Sequence, residues 1–422
     1  MAKVLVLSLY YPPHHYGGYE VSCRDVMERL RARGHEVTVL TSDLRRQGVD
    51  DPVGERADGV RRDLHVYFRD HDLYAPSLLG RWRTERHNQQ VLRDVLAEVR
   101  PDVVSVWHFG AASLGVLTTL LGRQLPLVYA ISDDWLCYAP ELDAWSRLWV
   151  GHPRVGRAIR PLVRVPTVLP DDLGRRGAFC FISDVTRERA ERYSRWTYPD
   201  ATIVYSGIDG TLFPRRADAC ERPWQGRLLY VGRYDPRKGI ETAIRSLVHL
   251  DASTTLEVQG TGDPQYRDQL AALAGELGVA ARVTFGAVER AELAARYAAA
   301  DAVVFPSEWE EPFGLVPVES MAVGTPVVAS GVGGSGEFLF DAVNCLRFTP
   351  GDAASLAAAI DRLATDPDLR RRVVTAGFAT AAYFDVERLA DAFEAWHAAA
   401  ANRYADGRPS RRTFSLDGAD HG

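Results

Sequence analysis

Short apolar runs alternate along this chain with longer stretches in which apolar residues recur at helical spacing. Val4 to Leu9 is an apolar run, Gly18 to Arg33 has the period of an amphipathic helix ended by Gly34, and His35 to Thr41 is a second run. Runs of this length separated by helices are typical of parallel sheets. The pattern therefore predicts an α/β protein that opens with a doubly wound sheet.

The alternation of predicted strands and helices continues to about residue 400 and is interrupted once. Residues 214–226, rich in Arg, Pro and Asp, indicate a linker, and Arg227 to Val231 restarts the series of strands. We predict a first domain over residues 1–212 and a second over 213–384. An amphipathic helix is predicted at 385–402, and the polar segment 403–422 is expected to form a mobile tail.

Two carboxylates stand in the most informative stretch of the second half, Glu311 in a loop and Glu319 in the helix that follows. Apolar residues predict a strand over 302–305, and Leu315 to Val323 is predicted to be helical, with Gly324 as its C-cap. The loop thus meets a helix N-terminus, where free N–H groups and the helix dipole favour phosphate. The glycine cluster after the next strand is expected to open toward another helix.

A second candidate phosphate site follows the strand at Arg227 to Val231. Arg233 and Lys238 lie five residues apart on a turn that leads into a helix. An arginine can hold one phosphate through two hydrogen bonds while a lysine acts on another as a point charge. Exposed cationic loops are commonly no more than solvated surface, so this pattern alone leaves both interpretations open.

Charge and cysteine content narrow the class of protein. The formal net charge of −6 argues against a nucleic-acid binder, and five scattered cysteines without a CxxC pair favour reduced thiols over a disulfide frame or zinc site. No apolar run reaches the roughly 18–20 residues of a spanning helix. We expect a cytoplasmic protein, at most peripheral to a membrane. Basic residues at 81–87 and 154–164 could meet an anionic membrane or acceptor, or could be ordinary exposed helix surface.

Taken together, the motifs of the second half closely resemble one enzyme family. The spacing of Glu311 and Glu319, the GG-x-x-E pattern that begins at Gly333, and the G-R-x4-K-G pattern around Arg233 and Lys238 are similar to those of retaining nucleotide-sugar glycosyltransferases of the family-four type. The resemblance implies a GT-B fold, with two Rossmann-like domains facing across a cleft. It also implies that the helix at 385–402 returns to the first domain.

The resemblance further implies roles for individual residues. Arg233 and Lys238 would bind the donor diphosphate, Glu311 the sugar hydroxyls and Glu319 the ribose. The other implied donor-binding residues are Gly17, Gly18, Gly262, Val288, Phe313, Gly314 and Leu315. The co-substrate would be a UDP- or GDP-sugar, and the acceptor a small molecule, a glycan or a lipid-linked hydroxyl. No metal or other cofactor would be needed, because cationic side chains stabilise the leaving group.

The first half matches the family less closely. Relatives end one strand in His-x-His, which falls on Ser105 and Trp107, and His108 follows one place later as the implied contact to the donor sugar. Asp133 is in a stretch similar to His-Asp-x-Trp, with Ser132 in place of the histidine, and would face the acceptor. A nucleotide-sugar epimerase of the same fold, or a non-catalytic nucleotide-sugar-binding protein, therefore remains an alternative.

Overall fold

The chain folds into two compact units, each built around one parallel sheet. The structure is a computed structural model that describes residues 1–46, 48–52, 54, 56, 58–69 and 72–405. Unit 1 comprises Met1–Tyr205 and the chain from Glu387 onward, and unit 2 comprises Ser206–Val386. The strands are β1 Lys3–Leu7, β2 Glu36–Ser42, β3 Val60–Leu64, β4 Phe68–Arg69, β5 Asp72–Leu73, β6 Val103–Val106, β7 Leu127–Ile131, β8 Ala178–Phe181, β9 Ala201–Ile203, β10 Arg227–Val231, β11 Thr255–Gln259, β12 Val283–Gly286, β13 Ala302–Phe305, β14 Val327–Ala329 and β15 Leu346–Arg347.

Helices connect most of these strands. They are α1 Gly18–Ala32, α2 Leu78–Val99, α3 Leu114–Gly122, α4 Trp135–Leu142, α5 Arg147–Val150, α6 Pro153–Val163, α7 Asp184–Tyr193, α8 Ile240–Ser246, α9 Pro264–Glu276, α10 Arg290–Ala299, α11 Leu315–Val323, α12 Ala353–Thr365, α13 Pro367–Tyr383 and α14 Val386–Ala405. None of the helices in the described part of the chain is both long and apolar enough to cross a membrane.

The sheet of unit 1 has seven parallel strands in the order β3-β2-β1-β6-β7-β8-β9. From β1 the chain winds outward through β2 and β3, then returns to place β6 on the other side of β1. The connections after β1 and β6 therefore leave in opposite directions. In doubly wound sheets this switch point is where ligands bind, at the carboxyl ends of the strands.

Unit 2 repeats this arrangement with six parallel strands in the order β12-β11-β10-β13-β14-β15. Its switch point lies between β10 and β13, the two strands that precede the predicted phosphate loops. Fully buried aliphatic residues fill the strands, such as Val258, Val303 and Val328. The interior strands β13 and β14 are apolar throughout, as is typical of buried parallel strands, whereas β11 alternates Leu256 and Val258 with Glu257 and Gln259. The predicted α/β class is confirmed.

The helix α14 packs on the sheet of unit 1. Phe393 stacks on Trp107 with ring centroids 4.7 Å apart, and Arg33 pairs with Glu394 at 2.7 Å. Its bounds are close to those of the helix predicted at 385–402. The predicted tail at 403–422 lies, from residue 406, outside the described residues.

Two details differ from the prediction. The boundary expected between residues 212 and 213 falls inside unit 2, because Ile208 exchanges backbone hydrogen bonds with Phe384 and Val386 at 2.9 and 3.0 Å. The glycine cluster after β14 does not lead into an α-helix. It forms only the short 3-10 turn Gly334–Glu337, and the next helix begins at Ala353. Glycine-rich sequence has little helix propensity, which explains the difference.

Candidate functional site

Charged residues of unit 2 collect at the carboxyl ends of β10 and β13. The loop after β10 contains Arg233, Arg237 and Lys238, and the loop after β13 contains Glu311. Since these strands are neighbours at the switch point, the two loops meet. Both motifs lie on the loops that were predicted for them from the sequence.

The cations of the first loop differ in how far they are already neutralised. Arg237 donates two hydrogen bonds to Asp235, from Nε at 3.0 Å and Nη2 at 2.7 Å, and its guanidinium lies 4.7 Å from the centroid of the Trp309 ring. The same hydrogen bonds lower the pKa of Asp235. Arg233 is exposed and makes no ion pair with any residue the structure describes. Arg233 is thus available to an anionic ligand, whereas the charge of Arg237 is already paired with Asp235.

Lys238 and Glu311 form the central contact of this site. Lys238 Nζ lies 2.5 Å from Glu311 Oε1, and Ser307 Oγ donates to the same oxygen at 3.0 Å. Glu311 is 5% exposed, so its charge is largely removed from water. A buried carboxylate is tolerated when paired and hydrogen-bonded, and these two donors satisfy that need.

Two glycines make the approach of these loops possible. At Gly239, directly after Lys238, φ is +67°, and a Cβ there would lie 1.9 Å from the carbonyl oxygen of Pro306. At Gly333 φ is +72°, and a Cβ would lie 2.5 Å from the backbone of Glu310 and Glu311. Neither position accepts a side chain, so glycine is required by close backbone contact as well as by the left-handed conformation.

The helix α11 begins directly after the Glu311 loop and carries Glu319 in its second turn. Tyr297 Oη donates to Glu319 Oε2 at 2.7 Å, and both side chains are buried. Burial raises the pKa of Glu319, although the Tyr297 hydroxyl favours the ionised form. The carboxylate is therefore fixed in one orientation, with one of its oxygens already occupied.

The other predicted donor-binding residues of unit 2 lie in nearby loops, with one qualification. Gly314 precedes α11 and Leu315 begins it. Gly262 follows β11 and forms a parallel bridge with Tyr234, and Val288 follows β12 by two residues. The Phe313 ring is buried against Phe338 and Phe384 with centroids about 5 Å away. A ligand could contact Phe313 only through its backbone.

The glycine loop of unit 1 ends at the N-terminus of α1, with Gly17 as its N-cap. The buried carboxylate of Glu20 accepts hydrogen bonds from the backbone N–H groups of Tyr16 at 3.4 Å and Gly17 at 3.0 Å. An anion in the first turn stabilises a helix. Tyr16 and Gly18 are exposed, so the loop remains open to a ligand on both sides of Gly17.

His108 and Asp133, predicted separately from two strands, contact each other in unit 1. His108 Nε2 lies 3.2 Å from Asp133 Oδ2, and the Tyr138 hydroxyl donates to that oxygen at 2.7 Å. The other ring nitrogen of His108 lies 2.9 Å from the hydroxyl of Tyr19, one residue beyond Gly18. The cluster joins the loops after β6 and β7 to the start of α1.

The ion pair controls the charge of this cluster. Burial acts to lower the pKa of His108, but the Asp133 carboxylate outweighs it, so the pKa is raised. Burial likewise acts to raise the pKa of Asp133, but His108 outweighs it and the pKa is lowered. Both shifts favour an imidazolium beside a carboxylate. Both ring nitrogens of His108 have partners within unit 1, so a sugar hydroxyl would have to replace one of them.

The two positions where relatives carry histidine are part of the core here. Ser105 Oγ lies 3.0 Å from Nε2 of His397 in α14 and accepts the indole N–H of Trp107 at 3.1 Å. Burial lowers the pKa of His397 to about 3, so this histidine is neutral. Neighbouring residues of a strand point to opposite faces. His108 accordingly lies on the other side of the strand from Ser105 and Trp107.

Several residues of these sites were missed by the sequence analysis. They are Ser307 and Trp309 beside Glu311 and Lys238, Tyr297 beside Glu319, Tyr19 and Tyr138 beside His108, and Glu20 beneath Gly17. Only Tyr19 and Glu20 had a signal in the sequence, because they follow the glycine pair directly. Among the described residues no three His, Cys, Asp or Glu side chains form a group suited to a metal ion.

Comparison with known proteins agrees with this architecture. The family model described as Glycosyltransferase Family 4 matches residues 16–211, and the model described as Glycosyl transferases group 1 matches residues 222–380. The glycogen synthase of Mycobacterium tuberculosis is 30% identical over 384 residues, which cover 88% of this chain and 88% of that protein. The similarity thus extends over both units.

Two solved structures show the same fold at lower identity. Sucrose-phosphate synthase from Thermosynechococcus elongatus has a TM-score of 0.70 at 23% identity, covering 94% of this chain and 98% of its own. Anabaena HepE in complex with UDP-glucose has a TM-score of 0.67 at 20% identity, covering 94% and 100%. The fold, the matched motifs and the family models lead to one conclusion: the chain belongs to the GT-B glycosyltransferases of the family-four type.

Proposed function

We propose that this glycosyltransferase moves a sugar from a nucleoside diphosphate sugar to an acceptor hydroxyl, with retention of anomeric configuration and without a divalent metal. The observation that carries the proposal is the contact of Lys238 with Glu311 at the switch point of unit 2. It supports a site with a cation for the departing diphosphate and a carboxylate for the sugar.

The main requirement of this reaction is to stabilise the negative charge that develops on the leaving diphosphate. Lys238, the exposed Arg233 and the N-terminus of α11 would supply positive charge to it as it develops. Because Lys238 is paired with Glu311 in the free protein, diphosphate binding would draw Lys238 away from that carboxylate. Glu311 could then accept hydrogen bonds from sugar hydroxyls. Glu319, oriented by Tyr297, would accept those of the ribose.

The bond changes balance without an added base. The bond from the anomeric carbon to the diphosphate oxygen breaks, and a bond to the acceptor oxygen forms on the same face. The acceptor proton passes to the departing phosphate. His108 is held between Asp133 and Tyr19, so it is a weak candidate for a free general base. We assign it to the donor sugar through its charge and orientation, and Asp133 to the acceptor side.

Thermal stabilisation by a panel of nucleotide sugars is the first test. UDP-sugars come first because HepE, which shares the fold, was solved with UDP-glucose, and GDP-sugars follow. A donor that binds should raise the midpoint temperature of thermal unfolding, because a ligand that binds only the folded state stabilises that state. Donor conversion without any acceptor would indicate an epimerase instead, and binding without turnover would indicate a nucleotide-sugar-binding protein.

Two further measurements test the mechanism. Proton NMR of the product from an α-linked donor should show an α-linked product, and a β-linked product would contradict retention. Nucleoside diphosphate affinity should be the same with and without EDTA, because Lys238 and Arg233 take the place of a metal. A loss of affinity on chelation that Mg²⁺ restores would contradict metal independence.

A further inference from the structure

The surface helix α6 of unit 1 carries two exposed stripes of opposite character. Arg154, Arg157 and Arg160 form a basic stripe at spacings of three residues, and Arg164 follows directly after the helix as its C-cap. Val155, Ala158 and Leu162 form an apolar stripe at spacings of three and four residues. Leu162 is 84% exposed, an unusual position for a leucine side chain. Basic and aliphatic residues side by side on one exposed helix are typical of interfacial helices.

The arginines of this helix have few partners within the protein. Arg157 lies 3.9 Å from the exposed Asp171, which is a weak contact. Arg154, Arg160 and Arg164 form no ion pair with any residue in the described ranges. By contrast, Arg29 of α1 and Arg33 directly after it pair with glutamates of α14. The excess positive charge of α6 is therefore local, in a chain whose net charge is −6.

Further apolar side chains adjoin the helix. The Trp82 indole N–H donates to the carbonyl oxygen of Val163 at 2.9 Å, which fixes the start of α2 against the end of α6. One turn before Trp82, Leu78 and Leu79 are 64% and 54% exposed. Exposed leucines thus stand on both helices that meet at this contact, and the surface they form with the α6 arginines is termed the basic-apolar face.

A cavity borders the end of this face. Its volume is about 350 Å³, and it is lined by Gln89, Thr119, Arg160, Pro161, Arg164, Val165 and Pro166. Gln89 is 4% exposed, and its amide nitrogen has no hydrogen-bond partner in the structure. Two arginines and an unsatisfied buried donor suit an anionic group.

We propose that the basic-apolar face docks unit 1 on an anionic lipid bilayer. The arginines would contact the phosphates of the headgroups, one of which could enter the cavity, while Leu162, Leu78 and Leu79 would enter the acyl boundary. A second copy of this chain fits the face less well, because a symmetric contact would bring arginine stripes together. This inference is independent of the proposed donor chemistry.

Vesicle flotation of the full chain tests the proposal without an enzyme assay. Vesicles of phosphatidylcholine mixed with phosphatidylglycerol should carry the protein at low salt, and phosphatidylcholine alone should carry far less. Replacing Arg154, Arg160 and Arg164 with Gln should weaken binding by more than about 100-fold, at about five-fold for each arginine near an anionic surface. These three form no ion pairs in the described structure, so thermal stability should not change.

Matched variants distinguish an effect of the basic-apolar face from an effect of the protein's net charge. Gln at Arg245, Arg362 and Arg372, all exposed in unit 2, changes net charge equally and should leave flotation unchanged. Lys at Arg154, Arg160 and Arg164 should also retain flotation, because the charge is kept. Leu162→Asp should reduce binding, whereas Val248→Asp in unit 2, at a residue 53% exposed, should not.

Three results would overturn the proposal. The first is equal flotation on neutral and anionic vesicles, or none on either. The second is binding to heparin without flotation, which would leave only an anion-binding surface. The third is a concentration-dependent dimer that Leu162→Asp abolishes, which would make the face a contact between copies.

Discussion

The two units stabilise buried carboxylates in different ways. In unit 2 Glu311 is paired with a lysine of the neighbouring loop, 73 residues away in sequence. In unit 1 Asp133 is paired with a histidine, and the partners of Glu85 among the described residues are the hydroxyls of Tyr67 and Ser113, at 2.7 Å each, with no ion pair. A permanent cation keeps its partner ionised, whereas a histidine or a hydroxyl leaves the charge dependent on pH. Buried carboxylates with only hydroxyl partners should therefore respond to pH more strongly than cation-paired ones; they include Glu85 of unit 1 and Glu319 of unit 2, which accepts the Tyr297 hydroxyl.

The largest effect of this difference is expected at Glu85. Burial, with a further contribution from Asp143, raises its pKa from 4.5 to about 8. Between those values the folded state binds a proton that the unfolded state has lost, so stability should fall as pH rises through this window. Between pH 5 and pH 8 the expected loss is roughly 4 kcal/mol, at about 1.4 kcal/mol per pH unit. Thermal unfolding of the full chain from pH 5 to pH 8 measures it.

Glu85→Gln is the informative variant, because an amide keeps the shape of the protonated acid. It should flatten the pH dependence between pH 5 and pH 8 and raise the unfolding temperature most at the alkaline end. Glu141→Gln, at an exposed position of the same unit, is the control and should leave the profile unchanged. A Glu85→Gln profile parallel to that of the natural protein would mean that Glu85 is ionised in the fold.

In unit 2 the largest effect is expected from Lys238→Met. The substitution removes the cation assigned to the departing diphosphate and also leaves Glu311 without its partner. We expect the turnover rate to fall about 100- to 1000-fold, comparable to the loss of one donor that stabilises developing charge. Steady-state kinetics with the donor found by thermal stabilisation give the measurement.

Arg237→Gln is the matched control in the same loop. Arg237 is already neutralised by Asp235 and lies over Trp309, so its loss should change turnover by less than about five-fold, the scale of an exposed ion pair. Equal losses for the two variants would show that the charge of the whole loop matters, rather than the contact of Lys238.

The motifs of unit 2 could be predicted because they constrain the backbone locally. The helix Leu315–Val323 and its C-cap Gly324 follow from propensity and capping, and the structure has the same bounds. Gly239 and Gly333 mark places where backbones touch. The partners of the carboxylates could not be predicted, since Tyr297 and Glu319 meet only through tertiary packing.

Unit 1 shows why the contacts between site residues could not be predicted from the sequence. Tyr19 and His108 are 89 residues apart, and no spacing rule connects them. The family pattern indicated Ser105 and Trp107, but their side chains are covered by α14. A one-residue shift along a strand reverses the face on which a side chain lies. His108 therefore reaches the cluster with Asp133 from the opposite face.

Glu311→Gln should separate binding from catalysis in unit 2. Without the carboxylate, Lys238 no longer has to leave an ion pair, so free nucleoside diphosphate should bind a few-fold more tightly. Turnover should fall about 10- to 100-fold, the value of a lost charge-assisted hydrogen bond to the sugar. Calorimetric titration and kinetics measure the two effects. Weaker diphosphate binding would contradict the assignment of Lys238 to the leaving group.

The smallest effect is expected from Asp133→Asn, which tests the histidine pair of unit 1. Asp133 raises the pKa of His108, so its removal should lower that pKa and leave the imidazole neutral at a pH where it is now charged. Turnover should then fall several-fold, with the loss largest above the new pKa and smaller in acid, where His108 is protonated again. NMR titration of the His108 ring follows the pKa directly. Tyr138→Phe is the comparison variant, because it removes the hydroxyl that contacts both Asp133 and His108 but keeps the carboxylate charge. If Asp133→Asn lowers turnover equally at every pH, Asp133 acts on the acceptor itself and not through the charge of His108.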